Sequence, residues 1–218
     1  MEIIWSGETK GKMEIRENKG VTYLSYPAFE KIPRVVHGFS TRLGGVSRGI
    51  YSSMNLSFTR GDEEEAVREN YRRMADALGF SVEDIVTSDQ THTTNVRVIT
   101  EEDRGSGITK PLFFVDPVHK AVGLSHSGWR GTAGKIGAVT VEKMREAYGT
   151  RPEDLYSAIG PSICQECYEV SEDVIEAFQK SFPEKDWDSL FYKKENGKYQ
   201  LDLWEANRKT MMEAGIRE

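Results

Sequence analysis

Hydrophobic positions along the chain follow two spacings, and the two spacings alternate through most of the sequence. Alternating or short apolar runs predict strands at residues 21–26, 34–40, 95–100, 112–115, 121–125 and 155–159. Apolar residues at helical spacing predict helices over residues 62–78 and 132–148 and others beginning at 171 and 202, with glycines at 79, 149 and 215 as stop signals. This alternation of strands and helices predicts an α/β fold, and the length suits a single domain over residues 1–218.

Two of the predicted helices carry a capping-box pattern at their start. Asp62 is followed three residues later by Glu65, and Asp202 is followed by Glu205. Because the first side chain of such a box accepts a hydrogen bond from the backbone of the second, both aspartates are predicted to cap their helices.

Composition excludes several classes of function. The formal net charge of -6 argues against a nucleic-acid-binding surface and against binding to an anionic membrane. The sequence contains neither an apolar run near the ~20 residues of a membrane helix nor the pattern of a signal peptide. Two cysteines do not make a disulfide framework, so the cytoplasm is the predicted compartment.

Residues 37–47, HGFSTRLGGVS, form the first candidate segment. Gly44 and Gly45 permit a tight turn, and Arg42 offers a planar fork that suits an oxyanion. By itself the pattern is a weak signal, and an ordinary turn with a solvated arginine is the favoured interpretation of the segment alone.

His92 lies just before the predicted strand at residues 95–100, in the sequence DQTH. A histidine on a loop beside a strand end suits a metal ligand or a general base. A lone histidine is more often structural, and this signal alone does not decide between the two.

The most informative segment is residues 125–136, SHSGWRGTAGKI. A buried strand ends here, His126 follows, and a tight turn at Gly128 leads into the predicted helix; strand ends of this kind are frequent ligand sites. Arg130 adds a positive charge for an anion at the helix start. Trp129 and Ile136 occupy positions where a phosphate-binding P-loop needs Gly and Ser or Thr, so an NTPase is excluded.

Cys164 and Cys167 form a CxxC pair in the segment IGPSICQECYEV. A structural zinc site needs about four ligands, and the sequence holds no second pair. We therefore predict that both cysteines are small loop or core residues without a catalytic role, and that His119 is a turn residue of the hairpin over residues 112–125.

Taken together, HGFSTRLGGVS, the QTH at residues 90–92, HSGWRGTAGKI and IGPSICQECYEV resemble the YfiH-like family, also known as the multicopper polyphenol oxidase (laccase) family. The resemblance implies a mixed-sheet α/β sandwich with helices packed outside. It also implies a metal site of His, Cys and His, in which His92 and His126 match the two histidines. We therefore expect the two imidazoles to approach one another at a pocket, with zinc as the ion and copper as the alternative.

The resemblance further implies phosphorolysis of purine nucleosides, including methylthioadenosine, and deamination of adenosine. Small-molecule nucleoside and phosphate are then the partners, with Arg42, Arg130 and Gly128 predicted at the phosphate. Four histidines cannot ligate several coppers, which makes a copper-dependent polyphenol oxidase the weaker alternative. A Cys–His amidase acting on peptidoglycan precursors, or a non-enzymatic binding module, are the remaining alternatives.

The family's metal-ligating Cys is absent from this sequence. It is expected two positions before Pro111, but the polar stretch GSGITK runs directly into the apolar PLFF at that point. We therefore expect residues to be missing between Lys110 and Pro111, and also after Glu218.

Overall fold

The computed structural model of the chain describes residues 13–85, 96, 98, 100 and 112–217. These residues fall into two compact units, residues 13–85 and residues 112–217. Across the described residues, no helix is both long enough and apolar enough to cross a membrane.

The first unit contains a three-stranded antiparallel sheet and two α-helices. Its strands are β1 (Glu14–Asn18), β2 (Val21–Ser25) and β3 (Phe39–Ser40), with β2 in the centre. Its helices are α1 (Pro27–Glu30) and α2 (Glu64–Leu78), with 3-10 turns at Gly49–Tyr51 and Val82–Asp84. The apolar stripe of α2 packs over the sheet and forms a core of Val21, Met54, Met74 and Ala77.

The second unit contains two three-stranded sheets. The first is made of β4 (Leu112–Asp116), β5 (Ala121–Ser125) and β6 (Tyr156–Ile159) in the order β5-β4-β6. The second is made of β7 (Glu169–Val170), β8 (Phe191–Lys193) and β9 (Tyr199–Leu201) in the order β7-β9-β8. Every strand pairing that the structure describes is antiparallel.

Five α-helices accompany these sheets. They are α3 (Trp129–Ala133), α4 (Ile136–Tyr148), α5 (Glu172–Ser181), α6 (Trp187–Leu190) and α7 (Leu203–Glu213), with 3-10 turns at Pro152–Asp154, Gln165–Cys167 and Glu184–Asp186. One core joins α4 and α7 to the first sheet around Phe114, and another lies around Phe178 and Leu201.

The α/β class predicted from the sequence is confirmed, as are most individual elements. The hairpin of β4 and β5, strand β2 and strand β6 lie where the apolar pattern placed them. Gly79 and Gly149 end α2 and α4 in the left-handed conformation. Asp202 caps α7 by accepting a hydrogen bond from the Glu205 amide.

The predicted strand over residues 34–40 is wrong except at its end, where β3 covers Phe39–Ser40. Arg34 has φ 68, which breaks an extended strand. The amide of Tyr26 donates to His37 Nε2 at 2.7 Å, so a side chain takes a bond that a sheet ladder would use. The strand predicted at residues 95–100 falls mostly outside the described residues, where only 96, 98 and 100 are placed.

The capping box at Asp62 is also wrong. The helix begins one residue later, with Glu63 at its cap position. The Asp62 carboxylate instead accepts hydrogen bonds from the Ser47 hydroxyl at 2.6 Å and from Asn55 Nδ2 at 2.9 Å. The Asp62 carboxylate therefore binds Ser47 and Asn55 instead of capping the helix as the local sequence predicted.

The long helix predicted over residues 132–148 is split in two. Gly134 and Lys135 separate α3 from α4, and Lys135 has φ 57, which no α-helix accommodates. The Lys135 ammonium lies 3.6 Å from the Phe182 ring centroid and 2.8 Å from a Glu213 carboxylate oxygen. These contacts offset the strain of the left-handed lysine.

Candidate active site around His126

His126 lies in a three-residue loop between β5 and α3. Strand β5 ends at Ser125, and Gly128 is the N-cap residue of α3. The strand is held from behind, because a Cβ on Gly123 would lie 2.6 Å from Met144 Sδ on α4. Close packing of the strand against α4 therefore fixes the point from which the loop departs.

Two glycines are required by the position of His126 itself. A Cβ added to Gly128 would lie 2.8 Å from His126 Nε2, and one added to Gly131 would lie 2.8 Å from the His126 carbonyl oxygen. Real Cβ atoms do not approach this closely, so the ring and the backbone of His126 occupy the space that side chains would need. The glycines of the HSGWRG pattern thus let the imidazole fold against the start of α3.

The start of α3 is tied to the loop through Thr132. Its amide donates to the Gly128 carbonyl at 2.9 Å, and its hydroxyl donates to the Ser127 carbonyl at 3.3 Å. Because α3 spans only five residues, an anion at its start would meet the dipole of little more than one helical turn, and not that of the helix predicted over residues 132–148.

Arg130 is exposed, and its guanidinium lies 4.1 Å from the Trp129 ring centroid. Trp129 packs against the core around Phe178, so the stacked arginine sits on a fixed platform. Burial raises the pKa of the Tyr168 phenol, and the Arg130 charge opposes that rise. Arg130 thus gives the second unit a cation that follows His126 closely along the chain.

In the first unit, the segment around Arg42 is a close-packed turn. Gly44 has φ 89, and a Cβ there would lie 2.3 Å from the Gly20 carbonyl oxygen. The Arg42 guanidinium donates through Nε to the Ser52 carbonyl at 3.2 Å and through Nη2 to the Ile50 carbonyl at 3.0 Å. The fork is thus held by backbone carbonyls rather than freely solvated. An anion site shared by Arg42 and the turn after His126 stays a prediction.

Asn70 holds the same turn from α2, and sequence reasoning missed it. It is fully buried, accepts a bond from the Val46 amide at 2.7 Å, and donates to Ser47 Oγ and the Asn55 carbonyl at 2.8 Å each. The available signal was its position on the apolar stripe of α2, between Val67 and Met74. A polar residue on such a stripe calls for buried partners.

The other histidines have different positions. His92 lies outside the described residues, so its approach to His126 stays a prediction. His37 accepts the Tyr26 hydrogen bond noted above. His119 is a turn residue, as predicted, and its Nδ1 lies 2.9 Å from Oδ2 of the fully buried Asp116. His37 and His119 therefore serve local structure.

Of the ligands that the family resemblance implies, only His126 lies in the described part of the chain. Among those residues, no group of three or more His, Cys, Asp or Glu side chains is arranged to hold a metal ion. His126 is one donor, whereas a catalytic zinc takes about three protein ligands. The residues described here do not fit a complete metal site.

Cys164 and Cys167 are both unbridged; Cys164 is the N-cap residue of the 3-10 turn at Gln165–Cys167, and Cys167 is its last residue. Hydrogen bonding with the Cys167 side chain raises the pKa of the Cys164 thiol. A raised pKa keeps the thiol protonated, which disfavours it as a nucleophile or metal ligand.

Comparison with known proteins links both glycine-rich segments to one family. The family model described as "Multi-copper polyphenol oxidoreductase laccase" matches residues 36–110 and residues 109–218. The two matched segments overlap at residues 109–110, next to the Lys110–Pro111 junction where residues are predicted to be missing.

Curated relatives and solved structures also match over most of the chain. The purine nucleoside phosphorylase YlmD of Bacillus subtilis is 33% identical, over 84% of this chain and 75% of its own length. Adenosine deaminase RL5, from an unknown prokaryotic organism, is 33% identical over 86% of this chain and 82% of its own length. The crystal structure of YlmD from Geobacillus stearothermophilus superposes with a TM-score of 0.84 at 30% identity, covering 95% of this chain and 85% of that one.

Proposed function

The chain is an enzyme that belongs to the family of multi-copper polyphenol oxidoreductase laccases, and on that premise we propose that it is a purine nucleoside phosphorylase that also deaminates adenosine. We include methylthioadenosine among its phosphorolysis substrates. Nucleoside and inorganic phosphate are the proposed partners. The net charge of -6 leaves nucleic acid outside the proposal.

The observation that carries this proposal is the His126 loop. An imidazole is held against the first turn of α3 by contacts that leave no room for a side chain at Gly128. Ordering a glycine on folding loses more conformational entropy than ordering any other residue. In return, the glycine allows a titratable ring to be held at a fixed position. Relatives of this chain are named purine nucleoside phosphorylase and adenosine deaminase. These names support purine nucleosides as the substrate class for a site at this ring.

Phosphorolysis asks little of the protein beyond positioning and charge. A phosphate oxygen forms a bond to C1′ as the bond from C1′ to the purine nitrogen breaks, which yields the free base and a ribose 1-phosphate. We assign His126, together with His92, to proton transfer and hydrogen bonding at the purine, a role worth roughly 10²–10⁴-fold in rate for such groups. Arg42, Arg130 and the backbone at Gly128 are assigned to the phosphate.

In deamination the same imidazoles transfer protons, and water takes the place of phosphate as the nucleophile. Water adds at C6 of adenosine, ammonia leaves, and inosine is formed. A neutral imidazole can accept the proton of water and return it to the departing amine. The two activities thus differ in their need for the arginines, which provides a way to separate them.

Zinc, with copper as the alternative, is the ion that the family resemblance implies. If the ion were bound, His92 and His126 would be its ligands in place of their role in proton transfer, and the third family ligand, a Cys, is not in this sequence. Because two imidazoles fall short of the usual three protein ligands, the steps above rest on side chains alone. Metal analysis of the purified protein tests this part independently of turnover.

Three alternatives remain as outcomes of the test. The family description names a copper-dependent oxidase, but the engagement of His37 and His119 in local hydrogen bonds weighs against a chain of copper centres. The amidase reading needs an activated cysteine, and the raised pKa of Cys164 weighs against it. A binding module without turnover is the third. We keep the cytoplasm as the proposed compartment, since the two thiols are unbridged.

The experiment incubates purified protein with adenosine, with and without phosphate, and separates adenine, inosine and hypoxanthine by chromatography. We expect phosphate-dependent adenine and phosphate-independent inosine, both reduced at least ~10²-fold by His126→Ala. His119→Gln is the matched control and retains turnover, because His119 serves a local turn. Oxygen uptake with a phenol, without adenine or inosine formation, would establish the oxidase instead.

A further inference from the structure

A buried asparagine on α7 is connected to the His126 loop by two hydrogen bonds in series, one from Asn207 to Thr132 and one from Thr132 to Ser127. Asn207 Nδ2 donates to Thr132 Oγ1 at 3.1 Å and to the Leu203 carbonyl at 2.7 Å. The Thr132 hydroxyl in turn donates to the Ser127 carbonyl, next to His126. Asn207 and Thr132 are 75 positions apart, so this connection exists only in the folded chain.

Both linking residues are almost inaccessible to solvent, Asn207 at 2% and Thr132 at 1% exposure. Within the described residues, Asn207 Oδ1 and the buried Ser127 hydroxyl have no hydrogen-bond partner. A buried polar atom without a partner destabilises the fold, and an apolar residue of similar size at 207 would avoid that cost. Stability alone therefore does not account for an asparagine at this position.

We propose that Asn207 is a positioning residue that fixes the His126 imidazole through Thr132. The two hydrogen bonds from Thr132, to the carbonyls of Ser127 and Gly128, define where the loop turns after His126. The amide of Asn207 holds the Thr132 hydroxyl in the rotamer that reaches Ser127. This inference rests on the proposed function in one respect, the assignment of His126 to the active site.

A purely structural role makes a different prediction, and the chain offers a matched control for it. Thr140 on α4 is also 1% exposed, and its hydroxyl donates to the Ile136 carbonyl at 2.8 Å within its own helix. Thr140→Val removes an equally buried hydroxyl hydrogen bond with no link to His126. If Thr132 only stabilises the fold, Thr132→Val and Thr140→Val should behave alike.

The test compares Thr132→Val, Thr132→Ser and Thr140→Val in the full chain. For phosphorolysis of adenosine we expect Thr132→Val to lower kcat by about tenfold or more with little change in KM, because the bound substrate meets a displaced imidazole. Thr132→Ser retains the hydroxyl and keeps kcat within about twofold of wild type. Thr140→Val lowers the unfolding temperature without changing kcat. Asn207→Ala, which leaves Thr132 in place, gives a second route if Thr132→Val does not fold.

A spectroscopic readout separates this inference from the proposed function. The His126 imidazole signals in a proton–nitrogen NMR spectrum at fixed pH, identified by their loss in His126→Gln, report the position of the ring without any substrate. We expect Thr132→Val and Asn207→Ala to shift or double these signals, and Thr140→Val to leave them unchanged. If the His126 signals shift in these variants but the wild-type protein turns over no nucleoside, the proposed function is wrong and the positioning role is supported. Unchanged signals and unchanged kcat in Thr132→Val would overturn the positioning role.

Discussion

The imidazole of His126 lies directly against the Cα of Gly128, so closely that a Cβ there would be 2.8 Å from His126 Nε2. Gly128 has φ -67, a value that any residue adopts. The glycine is therefore required by the neighbouring ring and not by backbone conformation.

Gly128→Ala should consequently displace the His126 ring and leave the fold largely intact. We expect kcat for both phosphorolysis and deamination to fall by ~10²-fold, with a loss of stability near the ~1 kcal/mol typical of point mutants. Gly197→Ala is the control, because Gly197 has φ 79 in the turn between β8 and β9 with open space around it. It should lose stability through backbone strain and keep full turnover. Equal activity of the two variants would remove His126 from the reaction.

Replacement of Arg42 should separate the two activities. Arg42→Ala is expected to weaken phosphate-dependent turnover by ~10-fold or more and deamination by less, because only the first reaction uses the phosphate anion. Arg48→Ala, at an exposed position in the same turn, serves as the control. Steady-state rates at several phosphate concentrations measure the effect. Equal losses in both reactions would mean that Arg42 acts only by holding the carbonyls of Ser52 and Ile50.

The buried carboxylate of Asp116 should make the second unit sensitive to acid. Burial alone would raise the pKa of Asp116, but hydrogen bonds from neighbouring groups, including the amide and ring of His119, bring it below the ordinary value. A lowered pKa in the folded state means that the stabilisation is fully present above the unfolded value of about 4 and is lost as pH falls through the folded pKa.

Asp116→Asn is therefore expected to cost about 1–3 kcal/mol at neutral pH, with a smaller difference from wild type in strong acid. Urea unfolding at a series of pH values gives the comparison. His119→Gln should reproduce only part of the loss, because the backbone amides of Val118 and His119 still donate to Asp116. A difference that grew as the pH fell would contradict the assigned direction of the pKa.

The double replacement Cys164→Ser and Cys167→Ser should retain most activity and all bound metal. The two cysteines lie at the start and end of a 3-10 turn, and the pKa of Cys164 is raised rather than lowered. Turnover and metal content of the purified variant are the measurements. Loss of metal from the variant would instead indicate that this pair supplies the metal ligand that the absent family Cys would provide.

The junction of Lys110 and Pro111 is predicted to lack residues present in the natural chain, including the family's Cys. The family model matches the chain in two segments, residues 36–110 and 109–218, which overlap next to this point. Intact-mass measurement of the protein from its natural source should exceed the 24.7 kDa of this sequence. We expect that longer protein to retain zinc on metal analysis and the present chain to retain less. A natural mass equal to that of the sequence would instead indicate a family member without the Cys ligand.

Elements that depend on neighbours along the chain could be predicted from the sequence. The left-handed glycine after α2, the Asp202 cap of α7 and the hairpin of β4 and β5 all arise from interactions within a few residues. The segments around Arg42 and His126 were recognisable because, taken together, their residues resemble the YfiH-like family.

Interactions between distant residues decided the rest. Asp62 serves Ser47 and Asn55 instead of its own helix, and Lys135 breaks a helix to reach Phe182 and Glu213. Local propensity is worth less than ~1 kcal/mol per residue, so several tertiary contacts acting together override it. No local sequence motif marks Asn70 or Asn207. Only the packing of their helices brings Asn70 to the turn of Arg42 and Asn207 to Thr132, which contacts the His126 loop.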